Sequence, residues 1–284
     1  MAARVQQTRV HAEPGRQPFL RWPGGKQWLL RTGVSLPTLG PKATYFEPFL
    51  GGGSLFFAMR PERAVLSDCN AHLISTYKTV RNTPHVLISK LESLSNDELT
   101  YEELRKTAPT TQLDTAVRFM YLNRTAFAGM YRVNRAGHFN VPFGGYTDRR
   151  LAQPERLLAA SSSLKSAQLM CRDFSKVEFE ARRGDFVYLD PPYVTGHTNN
   201  GFVRYNEHLF TWERQIELAQ MAARLSTRGV RVLVSNTAHA DVMALYPDFQ
   251  STLVHRRDQL SRDVTRRGLA PEALLSNFVL RLGS

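Results

Sequence analysis

Two kinds of periodicity divide the chain. Short apolar or β-branched runs bounded by Gly, Pro, Asp or Asn recur at Ala43–Phe49, Ala64–Leu66, Ala167–Cys171, Asp185–Leu189, Val230–Ser235, Gln250–His255 and Leu274–Leu282. These predict strands. Between them, Ser54–Met59, Thr211–Leu225 and Ala240–Leu245 space their apolar residues as helices do. The alternation is interrupted once. From Ala71 to about Thr125 the pattern is helical throughout, with turn signals at Asn82-Thr83-Pro84 and Ser95-Asn96-Asp97. Tyr131–Val141 then sets two β-prone arms around Asn134-Arg135-Ala136-Gly137, which predicts a hairpin. The expectation is an α/β domain made of residues 19–71 and 151–284. Residues 72–150 form a mainly helical insertion carrying the hairpin, and residues 1–18 a loose basic arm.

Composition narrows the functional classes. Lys and Arg number 37 against 25 Asp and Glu, a formal charge of +12, so a polyanionic partner is expected, most often nucleic acid. With 42% hydrophobic residues the chain can bury a large core, which excludes a disordered or fibrous protein. No apolar run approaches the ~20 residues of a membrane span. Met1–Pro18 lacks the apolar stretch of a secretory signal, so a cytoplasmic, nucleoid-associated location is expected. Cys69 and Cys171 stand outside any CxxC pair, and no histidine lies at ligand spacing from Cys or carboxylates. Neither a disulfide scaffold nor a metal site is expected.

Three motifs carry chemistry. Phe19–Lys26 contains Trp22-Pro23-Gly24-Gly25-Lys26; with Leu20 and Gln27 in place of the required Gly and Ser/Thr, it is not an NTP-binding P-loop. It reads either as an ordinary turn before a helix or as a ligand-facing loop in which Trp22 offers a flat face and Lys26 a charge. Glu47-Pro48-Phe49-Leu50-Gly51-Gly52-Gly53 lies between a strand and a helix, and Asp68 ends the next strand. Glycines there permit close approach of a ligand, and an acid at a strand end can accept from ribose hydroxyls. The pair suits a dinucleotide or an adenosyl cofactor equally. Asp190-Pro191-Pro192-Tyr193 ends the apolar strand Phe186–Leu189. The Asp190 carboxylate and the Pro191 carbonyl can converge as acceptors beside the Tyr193 ring, an arrangement for a planar base bearing an exocyclic NH2 group. Val194–Phe210, long and polar, reads as a lid over that base.

In their order, these blocks resemble the Dam-like DNA adenine methyltransferases of the alpha group. Phe19–Lys26 is similar to that family's FxxWxGGK, Phe46–Phe57 to FEPFxGGGSxFF, and Asp190–Tyr193 to DPPY. Tyr121–Arg124 through Phe139–Gly144 resembles its target-recognition segment, and Glu272–Phe278 its terminal strand. The resemblance implies a Rossmann-like class I methyltransferase fold, with a mixed, mostly parallel sheet flanked by helices. It implies S-adenosylmethionine as cofactor without a metal, and double-stranded DNA as partner, bound as a monomer or a homodimer. Trp22, Lys26, Asp68 and Asp190 match cofactor-pocket positions; Phe49, Gly51 and Gly53 match the glycine loop; Asp173, just past a strand, is a candidate for the cofactor adenine. Asp190, Pro191 and Tyr193 match the catalytic motif.

The resemblance also marks DNA-facing residues. Arg132 matches the base-reading arginine, with Arg124 and Arg135 beside it and Phe127, Met130 and Tyr131 as candidate wedges. Arg21 stands where relatives often carry Lys, and Ala128 where some carry Asn. Arg256, Arg257, Arg262, Arg266 and Arg267 form a basic run expected at phosphates. The competing readings are a methyltransferase acting on cytosine amine or RNA, and a catalytically silent DNA-binding regulator. A NAD oxidoreductase would leave the DPPY motif and the hairpin unexplained.

Overall fold

The computed structural model describes residues 16–134, 138–193, 210–257 and 269–281. Along the chain its helices are α1 (Gln27–Arg31), α2 (Ser54–Met59), α3 (Ala71–Asn82), α4 (Pro84–Glu92), α5 (Glu98–Lys106), α6 (Gln112–Thr125), α7 (Pro154–Leu164), α8 (Val177–Glu180), α9 (Trp212–Thr227) and α10 (Ala240–Ala244). The strands are β1 (Tyr45–Glu47), β2 (Ala64–Asp68), β3 (Ala167–Cys171), β4 (Phe186–Leu189), β5 (Arg231–Thr237), β6 (Gln250–Arg257) and β7 (Leu269–Ser276). The strands form one sheet in the order β3-β2-β1-β4-β5-β7-β6. β1 pairs parallel with β2 and β4, and β4 with β5; β7 runs antiparallel to both β5 and β6. This is the expected Rossmann-like arrangement.

The central strands are buried, β1 and β4 along their length and β5 at all but its two ends, as expected of a sheet covered on both faces. Edge strand β3 alternates buried and exposed positions instead. On one face, Leu218, Ala219, Ala222 and Leu225 of α9 pack with Val187, Leu189, Val232 and Val234.

The last strand differs from expectation. It spans Leu269–Ser276, not Leu274–Leu282. Pro271 is tolerated because the pairing with β5 begins only at Glu272, so the missing N–H falls outside that ladder. Asn277 ends the strand: its amide donates to the Ser226 hydroxyl and the Val230 carbonyl, and its oxygen accepts from the Val232 N–H.

Packing groups the chain into two compact units. One comprises Met1–Gln27, Gly51–Arg60 and Asn70–Leu169; the other comprises Trp28–Leu50, Pro61–Cys69 and Met170–Ser284. Side-chain contacts tie the segments of the first unit together. In the first unit, Phe19 packs edge-on against Phe57 and Tyr77. The Tyr77 hydroxyl donates to the Gly51 carbonyl. Ser161 of α7 donates to the Arg81 carbonyl, and Arg81 reaches on to the Ala167 carbonyl.

Candidate active site

In the second unit, β1 and β4 lie side by side where the strand order reverses, the place where open α/β sheets bind ligands at their carboxyl ends. Three acidic side chains, Glu47, Asp190 and Glu272, act on the same buried phenol here, and Asp68 lies at the end of the neighbouring strand. Glu47 ends β1 and is buried, accepting a 2.7 Å hydrogen bond from the Tyr45 hydroxyl. Asp190 follows β4 and is half-buried. Glu272 of β7 is buried and accepts a 2.7 Å hydrogen bond from the Tyr193 hydroxyl. Asp68 ends β2, half-buried. Burial first, then the carboxylates of Asp190 and Glu272, push the Tyr193 phenol well above its ordinary range. The Tyr188 phenol, which shares a hydrogen bond with Ser235, is raised by burial and then by Asp190. The end of β4 is thus negatively charged and rich in acceptors.

Beside it, Asp68 and Asp173 share a smaller acidic corner. Burial, then these two carboxylates, raise the Cys69 thiol. The Asp68 carbonyl accepts the Arg172 N–H, which fixes the chain after β3 against the end of β2. Asp173 caps the turn Phe174–Lys176, accepting from the Ser175 N–H, and pairs with Arg214 of α9. Burial pushes its carboxyl up, but the hydrogen bonds from Ser175 and Arg214 outweigh this and hold it below the usual carboxylate range. Phe49, half-buried, stacks on Phe174 at 5.3 Å between ring centres, and the Arg214 guanidinium covers Phe174 from 4.4 Å.

The first unit holds the other expected loop. Trp22-Pro23-Gly24-Gly25 is a tight turn closed by the Gly25 N–H on the Trp22 carbonyl, with Pro then Gly at its centre and Gly24 at φ +78°. Lys26 is buried and donates to the Gly24 carbonyl at 2.8 Å. Gly51 and Gly53 take positive φ. A Cβ on Gly51 would lie 2.7 Å from the Trp22 indole, so within this unit the close approach that the glycine permits is made by Trp22.

The two arms of the expected hairpin are paired, while its turn residues 135–137 lie outside the described residues. The Val133–Phe139 bridge is flanked by Asn134 N–H to the His138 carbonyl and Asn140 N–H to the Arg132 carbonyl. Arg132 is exposed, and its Nε donates to the Asn140 side chain at 2.8 Å. Tyr121 is core rather than interface, buried with its hydroxyl on the Ser95 carbonyl. Tyr131 is half-buried, 4.7 Å from Phe119 and 6.0 Å from Trp22 between ring centres. Phe127 is 41% exposed. Ala128 adopts φ +54°, a conformation Asn tolerates better than Ala, which gives the departure at this position a backbone consequence.

The family model of the D12 class N6 adenine-specific DNA methyltransferases matches residues 22–260. The chain belongs to this family. It is 34% identical over 274 residues to the Type II methyltransferase M1.LlaDCHI of Lactococcus lactis subsp. cremoris, covering 92% of this chain and 95% of that one. It is 31% identical over 287 residues to the Type II methyltransferase M.MjaIII of Methanocaldococcus jannaschii, covering 92% and 99%. It is 32% identical over 260 residues to the DNA adenine methylase of Escherichia coli K12, covering 88% and 91%.

In this D12 methyltransferase, the structure adds residues that sequence reading did not single out. Glu272, Gln215 and Arg214 bond to the motif residues Tyr193, Pro192 and Asp173. Buried Asn123 clamps Arg21 through both main-chain groups and also donates to the Gly129 carbonyl. Arg124 donates to the Arg150 carbonyl. Burial, then the charges of Arg156, Arg21 and Arg149, bring its guanidinium down to about 10. Among the described residues no carboxylate pairs with any of these four arginines. Arg256 and Arg257 end β6. Arg135, Arg262, Arg266, Arg267, the expected lid up to residue 209 and most of the arm lie outside the described residues. Among those described, no group of three His, Cys, Asp or Glu is placed for a metal ion, and no helix is long and apolar enough to cross a membrane.

Proposed function

We propose that the chain transfers a methyl group from S-adenosylmethionine to the exocyclic amine of an adenine flipped out of double-stranded DNA. The observation that carries this reading is the acidic, acceptor-rich end of β4, where Asp190, Pro191 and Tyr193 follow a strand buried along its length. The residues fit the cofactor by their chemistry. Half-buried Phe49 offers an apolar face for a purine, and the Asp68 and Asp173 carboxylates can accept from ribose hydroxyls and from the adenine amine. The negative surroundings of Asp190 suit a sulfonium. Bound S-adenosylmethionine supplies an electrophilic methyl group.

Asp190 and the Pro191 carbonyl accept the two hydrogens of the target amine. That favours a pyramidal nitrogen whose lone pair is no longer delocalised into the ring. Tyr193 stacks on the base and excludes water, and positioning supplies much of the acceleration. Asp190 is the acceptor for the surplus proton. Incubating unmethylated plasmid DNA with the protein and S-adenosylmethionine, then digesting to nucleosides, should yield N6-methyladenine. Methyl groups found only on cytosine would overturn the reading.

Arg21, Arg124, Arg149 and Arg156 form a positive patch in which each charge repels its neighbours, and phosphate is the natural counterion. Replacing all four by Gln should weaken binding to every DNA sequence alike. The slope of log K against log salt should fall by about 0.9 per lost contact. An unchanged slope would remove the patch from the interface. The run from Arg256 to Arg267 is proposed for the same role.

Arg132 is proposed to read a base. Asn140 holds one edge of its guanidinium, and a bidentate contact to guanine is open to the remainder. Arg132→Ala should relax discrimination at one base pair by about 1–3 kcal/mol. Uniform slowing across oligonucleotides carrying every single substitution in the site would instead make Arg132 a phosphate contact.

A further inference from the structure

We infer that Glu272 and Gln215 are positioning residues that hold the Asp190–Tyr193 segment from two sides, Glu272 through the Tyr193 hydroxyl and Gln215 through the Pro192 carbonyl. The inference rests on reading that segment as the place of methyl transfer.

The argument starts from the two prolines. Pro191 and Pro192 have no backbone N–H, so across these residues the segment can be pinned only through its carbonyls and neighbouring side chains. The structure provides both kinds of tie. Gln215 of α9 is fully buried, and its amide donates to the Pro192 carbonyl at 3.2 Å. Its own oxygen accepts from the amide of Asn236 on β5 at 3.3 Å, and the Asn236 oxygen accepts the Thr237 N–H at 2.8 Å. A hydrogen-bonded chain therefore runs from β5 through α9 to the peptide that follows Pro192. With the Pro192 carbonyl held, rotation of the Pro191 carbonyl away from the target amine is restricted.

The second tie lies one residue further. Glu272 is 3% exposed, and it sits where β7 begins to pair with β5, opposite Thr237. Its carboxylate accepts the Tyr193 hydroxyl at 2.7 Å. That bond sets the direction of the phenol ring, which is the surface the base would stack on. Burying an amide and a carboxylate is unfavourable unless they are bonded, and both side chains are buried. Both polar groups aim at the same four-residue segment. Neither is proposed to touch the substrate.

The test is steady-state methyl transfer to unmethylated plasmid DNA by full-length wild type and five variants. Tyr193→Phe, Glu272→Leu and Gln215→Leu should each lower kcat roughly tenfold, the scale of one lost buried hydrogen bond, with KM for cofactor and DNA nearly unchanged. Glu272→Gln should recover most of the activity, because its amide oxygen still accepts from the phenol. Tyr193→Phe combined with Glu272→Leu should be no slower than either alone, as expected of two ends of one interaction. Wild-type kcat in Tyr193→Phe, or a Glu272→Gln as slow as Glu272→Leu, would overturn the role of Glu272. Wild-type kcat in Gln215→Leu would overturn that of Gln215. If Glu272→Leu does not fold, Tyr193→Phe and Glu272→Gln decide alone, since both keep the packing. A wild type that places no methyl on adenine would instead sink the underlying reading, an outcome separate from all of these.

Discussion

Asp190→Ala is expected to lower methyl transfer by ~100-fold or more at saturating cofactor, while the fold stays intact. Asp190 lies beyond β4, whose four residues are all buried and paired with β5, the first two also with β1, so the main-chain pairing of the sheet does not run through its side chain. What is lost is an anionic acceptor for the target amine in a site that already holds Glu272 and two high-pKa phenols nearby. The prolines that follow carry no charge, and Glu47 and Glu272 already accept from the Tyr45 and Tyr193 hydroxyls. Saturating cofactor is required, since Asp190 is also proposed to face the cofactor. Tritium incorporation into DNA, with a thermal melt to confirm folding, measures the effect. A folded variant keeping more than about a tenth of the activity, against the ~100-fold expected for a key electrostatic group, would end the assignment.

Asp68→Ala is expected to weaken cofactor binding by roughly 10- to 100-fold, the range for a lost charge-assisted hydrogen bond, with little change in turnover once cofactor saturates. Main-chain bonds hold the local backbone. The Asp68 carbonyl accepts the Arg172 N–H at 3.2 Å, and β2 stays paired with β1. Asp173→Ala makes an informative comparison. Its loss also releases Arg214 and the Ser175 N–H, so the corner itself should loosen and the thermal midpoint should fall as well. Calorimetric titration separates the two. A dissociation constant unaltered by Asp68→Ala would show that this carboxylate faces something other than the ribose.

Much of this protein was legible in its sequence, because the signals concerned are local. A run such as Phe186–Leu189, apolar at every position, is a buried strand wherever it sits, and the helical spacing of Thr211–Leu225 needs no partner to be read. The glycine loop, the Asp190–Tyr193 motif and the hairpin around Asn134 likewise announce themselves within a dozen residues, and together they sufficed for the family. Tertiary structure alone decided the rest. That Glu272 meets Tyr193, 79 residues away, and that Asn123 clamps Arg21, 102 residues away, leaves no trace in any local pattern. A single glutamate in a strand, or an asparagine in a helix, has no periodicity to betray its partner. The same holds for the glycine loop: its composition implied a close approach, but only folding showed that Trp22 makes it within its unit. For a related reason no local signal marks the start of the last strand at Leu269, ahead of Pro271. The cost of that proline depends on which edge is paired at that residue, and this is a property of the sheet, not of the segment.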